Sequence, residues 1–231
     1  LALRERLSAE QWGLIRRMGE GFAAALRVPP AAGAAAAVPG LRQVLPALDL
    51  LALQLAAMTG AQTDRMNRDH GWRLLTVGRL LERLIGLTTR LEAFVRAQAL
   101  GSAGGVALLL ELFDSVITFR ARYQRHDDLL ALTELLVLDR DNPRAFAGVL
   151  RRLRTEIGKL PGGDETREPL LALLPAEGAG LTLERLRGAD EAAIAEAIGA
   201  LAGELADVSQ RLAERVGERF FTPAHGSDHR I

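Results

Sequence analysis

The sequence predicts an all-α fold, a multi-helix bundle of about seven to eight helices with no sheet. Three observations carry this expectation. Apolar residues recur at spacings of three and four through most of the chain, which places them on one side of an α-helix. No stretch alternates apolar and polar residues for long enough to propose a strand. Helix-start and helix-stop residues separate the apolar stripes.

Leu1–Arg6 reads as the first helical stretch, and a chain that opens on Leu1 rather than Met is expected to continue an upstream part. Ser8 and Gln11 fit a capping box, in which each side chain satisfies an orphan amide of the other residue. The helix they open carries Trp12, Leu14, Ile15, Met18 and Phe22. Residues 27–40, RVPPAAGAAAAVPG, form a low-complexity linker. The next helix carries Leu41, Val44, Leu45, Leu48, Leu51, Leu55 and Met58. Its window Leu41–Met58 holds Arg42, Gln43, Pro46, Asp49 and Gln54. A membrane span needs about 20 mostly uncharged residues, so this helix is read as part of a core and no membrane partner is expected.

A third helix starts near Asp69 or Gly71 and runs to about Gln98. Leu74, Val77, Leu81, Leu84, Thr88 and Leu91 share one face, and Trp72, Arg79, Arg83, Gly86 and Arg90 the opposite one, with Glu82 beside them. The glycines of Gly101–Gly105 are expected to end it. One long helix is read from Val106 to Gln124, and another from Asp127 to Leu138. In DRDNPR (Asp139–Arg144), Asn142 suits an N-cap and Pro143 a first helical position. The helix beyond it places Phe146, Val149, Leu150, Leu153, Ile157 and Leu160 on one face. Lys159–Pro169 reads as a polar loop. The last helix, Asp190 to Phe220, carries Ile194, Ile198, Leu201, Leu205, Val208, Leu212, Val216 and Phe220. Residues 222–231 read as a flexible tail, and the chain as one helical domain over 1–231.

Composition excludes several functions. Lys+Arg and Asp+Glu number 29 each, so the excess positive charge that nucleic-acid binding requires is missing. The chain has no cysteine. Disulfides, iron–sulfur clusters, thiolate zinc sites and a Cys nucleophile are thereby ruled out, and a reducing cytoplasm is the expected location. HGSDH, containing His225 and His229, reads as a terminus rather than a metal site; His70 and His126 are the other histidines. No P-loop, GxGxxG, HExxH or nucleophile elbow is present. No metal site is assigned in this chain.

Two polar constellations remain. The first is Arg68, Asp69, Gly71, Trp72, Arg79, Glu82 and Arg83; the second is Asp139–Arg144. The plain reading is a solvated helix face and a helix cap, with Asp139 and Asp141 at the positive end of the macrodipole. Trp72 argues against the first half of that reading, because a large aromatic on a charged face lies beneath something.

These segments resemble the bacterial alpha-E family. RDHGWRLLTVGRLLERL (Arg68–Leu84) is similar to its Gly-Trp…Gly-Arg…Leu-Glu-Arg helix, and LLVLDRDNPRAFAGVLRRL (Leu135–Leu153) to its Leu-Asp…Asn-Pro-Arg motif. DSVITFRARY (Asp114–Tyr123) resembles the intervening segment, with Phe119 where a tyrosine is usual. RERLSAEQW (Arg4–Trp12) and RFF (Arg219–Phe221) resemble further landmarks. Leu84 and Ala145 depart from the pattern, the latter from a frequent serine. The resemblance implies the C-terminal part of a unit that carries a first copy of its motifs upstream, or of a longer fusion. It also implies association with a circularly permuted ATP-grasp protein, fused or separate, and with transglutaminase-like peptidases. The implied role is a helical companion or substrate-presenting domain in peptide or amide-bond formation. ATP and Mg²⁺ are implied for the partner ligase, no cofactor for this chain, and no self-contained catalytic residue is assigned.

The candidate substrate-binding residues are Arg68, Asp69, Trp72, Arg79, Glu82, Arg83, Asp114, Thr118, Arg120, Arg122, Asp139, Asn142 and Arg144. Arginines clamp carboxylates or phosphates bidentately. The carboxylates of Glu82, Asp114 and Asp139 would hold an amine, orient those arginines or ligate Mg²⁺. A structural interaction domain, with the same charges as internal ion pairs, is the alternative. If the motifs share a site, Glu82 or Asp139 lies within hydrogen-bond reach of an arginine from another motif, and such pairs are at least partly buried.

Overall fold

The computed structural model describes residues 8–27, 38–123, 128–175 and 181–221. The expected helix at Leu1–Arg6, most of the 27–40 linker, the tail, and His126, His225 and His229 lie outside them. The described residues form ten α-helices and no strand, so the chain is all-α. They divide between two compact units, Leu1–Asn67 and Arg68–Ile231.

The first unit contains α1 (Ala9–Ala25) and α2 (Leu41–Arg65). The Ser8–Gln11 capping box forms as read. Gln43 Nε2 donates to the carbonyls of Ala25 and Arg27 at 2.6 and 3.2 Å, tying the start of α2 to the end of α1. The reading of α2 as a core helix does not hold within this unit. Among the described side chains of α2, only Ala47 and Gln62 are buried, while Leu41, Leu45, Leu48, Leu50, Leu53 and Leu55 are exposed. A single neighbouring helix covers one stripe, and α2 is apolar on more than one. By length and composition alone, Leu41–Asp64 is long and apolar enough to cross a membrane.

The second unit is built on α3 (His70–Arg96), which packs along α10 (Glu191–Phe220) and α7 (Phe146–Ile157). The predicted stripes fill the space between them: Val77, Leu81, Leu84, Thr88 and Leu91 of α3, Phe146, Val149, Leu153 and Ile157 of α7, and Ile194 through Val216 of α10 are buried. Leu74, Leu150 and Phe220 lie at its margin.

Four boundaries differ from the sequence reading. First, α3 ends before the glycines. Gln98 adopts φ 52°, its amide donates to Val95, and that of Ala99 donates to Phe94. This is a Schellman motif, with a glutamine in the left-handed position usually taken by glycine. Gly105 instead lies inside α4 (Ala103–Leu112), where an added Cβ would meet the Ala99 carbonyl at 1.8 Å.

Second, the long helix expected over 106–124 is two, α4 and α5 (Val116–Arg122). Asp114 adopts φ 46°, with Asp114 N–H bonded to Glu111 and Ser115 N–H to Leu110, another Schellman motif. Third, α6 (Leu129–Thr133) continues into a π-helical turn, Glu134–Leu138, and the Asn142-capped helix is replaced by a turn. Ala145 N–H bonds to Asn142 O, and α7 starts at Phe146 with Ala145 as N-cap. Fourth, the loop expected at 159–169 holds the start of α8 (Asp164–Leu173), which runs through Pro169. The bond that Pro169 cannot donate would reach Glu165, only the second helical residue, so the helix survives. A short α9 (Leu183–Leu186) precedes α10.

Candidate functional site

The π-helical turn sets the geometry. Its wider ring sends Asp139 N–H to Glu134 O and leaves the Leu135 carbonyl for a side chain. Asn142, buried, donates to that carbonyl at 2.9 Å and accepts from Arg144 N–H at 3.0 Å. A buried amide satisfied at both ends fixes the turn. Asp139 accepts from the amides of Asp141 and Asn142 at 2.8 and 3.2 Å. The turn is pressed against α7: a Cβ on Gly148 would lie 2.1 Å from Asn142 O.

Three segments distant in sequence meet at this turn. Arg83 of α3 donates to the Pro143 carbonyl at 3.2 Å. Arg122 at the end of α5 pairs with Asp139, and Arg144 pairs with Asp114. Asp139 therefore lies within reach of an arginine from another motif, as read, and Glu82 does not. The burial expectation holds only in part. Asp139 is 13% exposed, but Asp114 is 79% exposed, so the Arg144–Asp114 pair contributes little to stability.

The charges respond to their surroundings. Burial alone would raise the Asp139 carboxyl, but the bonds from Arg122, Asp141 and Asn142 outweigh it and hold it below its ordinary value. The bond to Asp139 raises Arg122 in turn. Burial, then the neighbouring Glu134 carboxylate, pushes the Tyr123 phenol upward. Burial of its charged end, then repulsion by Arg152 and Arg144, lowers Arg83.

The structure thus gathers Arg83, Asp114, Arg122, Asp139, Asn142 and Arg144. Glu82, Thr118 and Arg120 are exposed and make no hydrogen bond or ion pair among the described residues. Arg79 is half-buried and is itself engaged in an interaction. The other part of the first constellation stands apart. Asp69 caps α3 by accepting from Trp72 N–H at 3.0 Å, and the Arg68 guanidinium lies 4.2 Å from the centre of the Trp72 ring. Trp72 does lie beneath something, namely a cation. Eleven residues of helix, about 16 Å, separate it from Arg83.

Among the described residues, no group of three His, Asp or Glu side chains is placed to hold a metal. Asp114 and Asp139 each face an arginine, so the Glu82–Asp114–Asp139 set does not form a Mg²⁺ site here.

Some participants were not visible in the sequence. Arg73 lies 3.6 Å from Glu156, which also takes a 3.0 Å bond from Lys159, so α3 and α7 are clamped a second time. Arg151 bonds to Asp141 at 3.1 Å. Arg152 presses electrostatically on Arg83. The one available signal was the phase of α7, on which Gly148, Arg152 and Glu156 share a face.

The chain is 30% identical over 171 residues to Uncharacterized protein Rv2567 of Mycobacterium tuberculosis (strain ATCC 25618 / H37Rv), and equally to Uncharacterized protein Mb2597 of Mycobacterium bovis. That stretch covers 73% of this chain and 19% of either relative, so the chain spans about a fifth of their length. No solved structure matches. The model of the Alpha-E family, described as a predicted alpha-helical domain with a conserved ER motif, matches residues 1–221. Glu-Arg pairs stand at 5–6, 82–83, 184–185, 214–215 and 218–219, and the second of these carries the arginine that reaches the 139–144 turn. The chain belongs to the Alpha-E family.

Proposed function

We propose that this chain is the helical companion of an ATP-grasp peptide or amide ligase in the bacterial cytoplasm, where it presents the acceptor substrate or completes the ligase site. One observation supports this reading above the rest: two remote segments each send an arginine to a single turn, and the turn sends its own Arg144 back to Asp114. A turn built only as a helix cap needs none of them. Glu82, exposed and unpaired among the described residues beside Arg83, is available to an incoming amine or a partner surface. The reaction itself belongs to the ligase, with its ATP and Mg²⁺.

A structural interaction domain is the second reading, favoured by the pairing of Asp139 and Asp114 within the chain. Glu82→Ala separates the two. Its side chain is exposed and unpaired among the described residues, so the melting temperature stays within about 1 °C of the parent in either case; a binding role abolishes ligase stimulation, whereas a purely structural role leaves it intact. Calorimetry with amino acids, short peptides and nucleotides, with the chain alone and with its ATP-grasp partner, is the direct test. Absence of heat in every arm removes the companion reading.

A further inference from the structure

The seam between α3 and α7 holds positive charge that its neighbours do not neutralise. The two helices run antiparallel across it, since Arg83 meets Pro143 at one end and Arg73 meets Glu156 at the other. Along the same face of α7, one turn past Gly148 and one before Glu156, stands Arg152. Glu156 answers Arg73, and Asp114 answers Arg144. Among the described residues, the only bond of Arg83 is to a neutral carbonyl, and Arg152 makes none. Their mutual repulsion is felt at Arg83. Like charges held together without a counterion cost free energy, and an anion removes that cost.

We propose that Arg83 and Arg152, with Arg144 at the rim, form a subsite for a dianionic phosphoryl group. The anion class comes from charge. Two unanswered guanidiniums match a phosphate monoester, which carries about −1.5 to −2 at pH 7. A carboxylate would leave one of them unanswered. Arginine forks also fit phosphate oxygens bidentately. The source of that group rests on the function proposed above: in an ATP-dependent amide-forming system it is either a nucleotide phosphate or a phosphorylated acyl group.

The test is calorimetric titration of the chain with inorganic phosphate, phenyl phosphate and ADP, and with acetate as the carboxylate control, each at constant ionic strength made up with chloride. Saturable binding is expected, strengthening from pH 5.5 to 7.5 as phosphate gains its second charge. Arg152→Gln, on an exposed side chain, weakens it about tenfold or more, while Arg90→Gln leaves it unchanged. Tighter binding of ADP assigns the site to a nucleotide, and equal binding of all three assigns it to the phosphoryl group alone; either result supports the subsite. No saturable heat, wild-type affinity in Arg152→Gln, or acetate binding as well as phosphate overturns it. Because this assay needs no ligase, loss of the subsite leaves the companion reading standing if the ATP-grasp partner is still bound and stimulated.

Discussion

Arg122 at the end of α5 and Asp139 at the end of the π-helical turn, 17 positions apart, form an ion pair with an enclosed carboxylate and a half-open guanidinium. The carboxylate also holds the amides of Asp141 and Asn142. It therefore acts as the hub of the turn, and Arg122 as its cover.

Asp139→Asn keeps the shape and removes the charge. Loss of charge-assisted bonds at a largely buried oxygen costs about 2 kcal/mol, a fall of roughly 4–8 °C in melting temperature for a unit of this size. Thermal unfolding at pH 7 checks this.

The same residue gives an acid signature. Its native pKa lies below the ordinary 3.8, so its contribution is present above that value and is lost as pH falls through the native pKa. The stability gap between parent and Asp139→Asn should be constant from pH 7 to 5 and close below pH 4. A gap that persists unchanged at pH 2 would contradict the assignment.

Tyr123 is the only tyrosine in the chain, so absorbance at 295 nm reports it alone. Its phenol titrates above the ordinary 10.0. A raised native pKa means stability that is present below 10 and lost as pH rises through the native value. Glu134→Gln lowers the midpoint without restoring it fully, since burial is the larger cause.

Two glycines should respond in opposite directions. Gly148→Ala drives a methyl to 2.1 Å from the Asn142 carbonyl and costs about 1–3 kcal/mol. Gly78→Ala, on α3 with nothing within 4 Å, stabilises by about 0.5–1 kcal/mol. Urea unfolding of both variants compares them.

The left-handed residues at helix ends make a further pair. Gln98→Gly removes a strained side chain and stabilises by about 0.5–1 kcal/mol. Asp114→Gly makes a similar gain and loses only the exposed pair with Arg144, which contributes little, so a small net gain remains. A large loss in Asp114→Gly would show that the pair is structural.

The core was legible because the stripes of α3, α7 and α10 obey the helical period, and a helix can bury only one such face. The breaks were less legible. Phe113–Ser115 contains no glycine or proline, and the apolar run through Leu108, Leu110 and Leu112 continues up to it. The chain turns there because Asp114 tolerates the left-handed region. Asn142 has the right chemistry for a cap, yet its amide is taken by Leu135 O, an acceptor exposed only by a π-helical turn that no local propensity announces. The meeting of the motifs could be expected from their charges. The role of Arg152 could not, since it is defined by the lack of a partner among the described residues.

From Glu134 to Asp139 the backbone closes its ring over five residues where an α-helix uses four. The turn thus works as a phase insertion. Deleting one residue from Leu135–Val137 would return the ring to α pitch, with Asp139 N–H still on Glu134 O but no carbonyl left over for a side chain. Asn142 would then lose its acceptor and the turn its fixed shape, with every side chain of the turn still present. In this stretch chain length itself encodes the alignment of the site. A scan of single-residue deletions should therefore find 38–39, outside the helices and led by the exposed Val38, permissive and 134–138 intolerant, even where substitutions at the same positions are accepted.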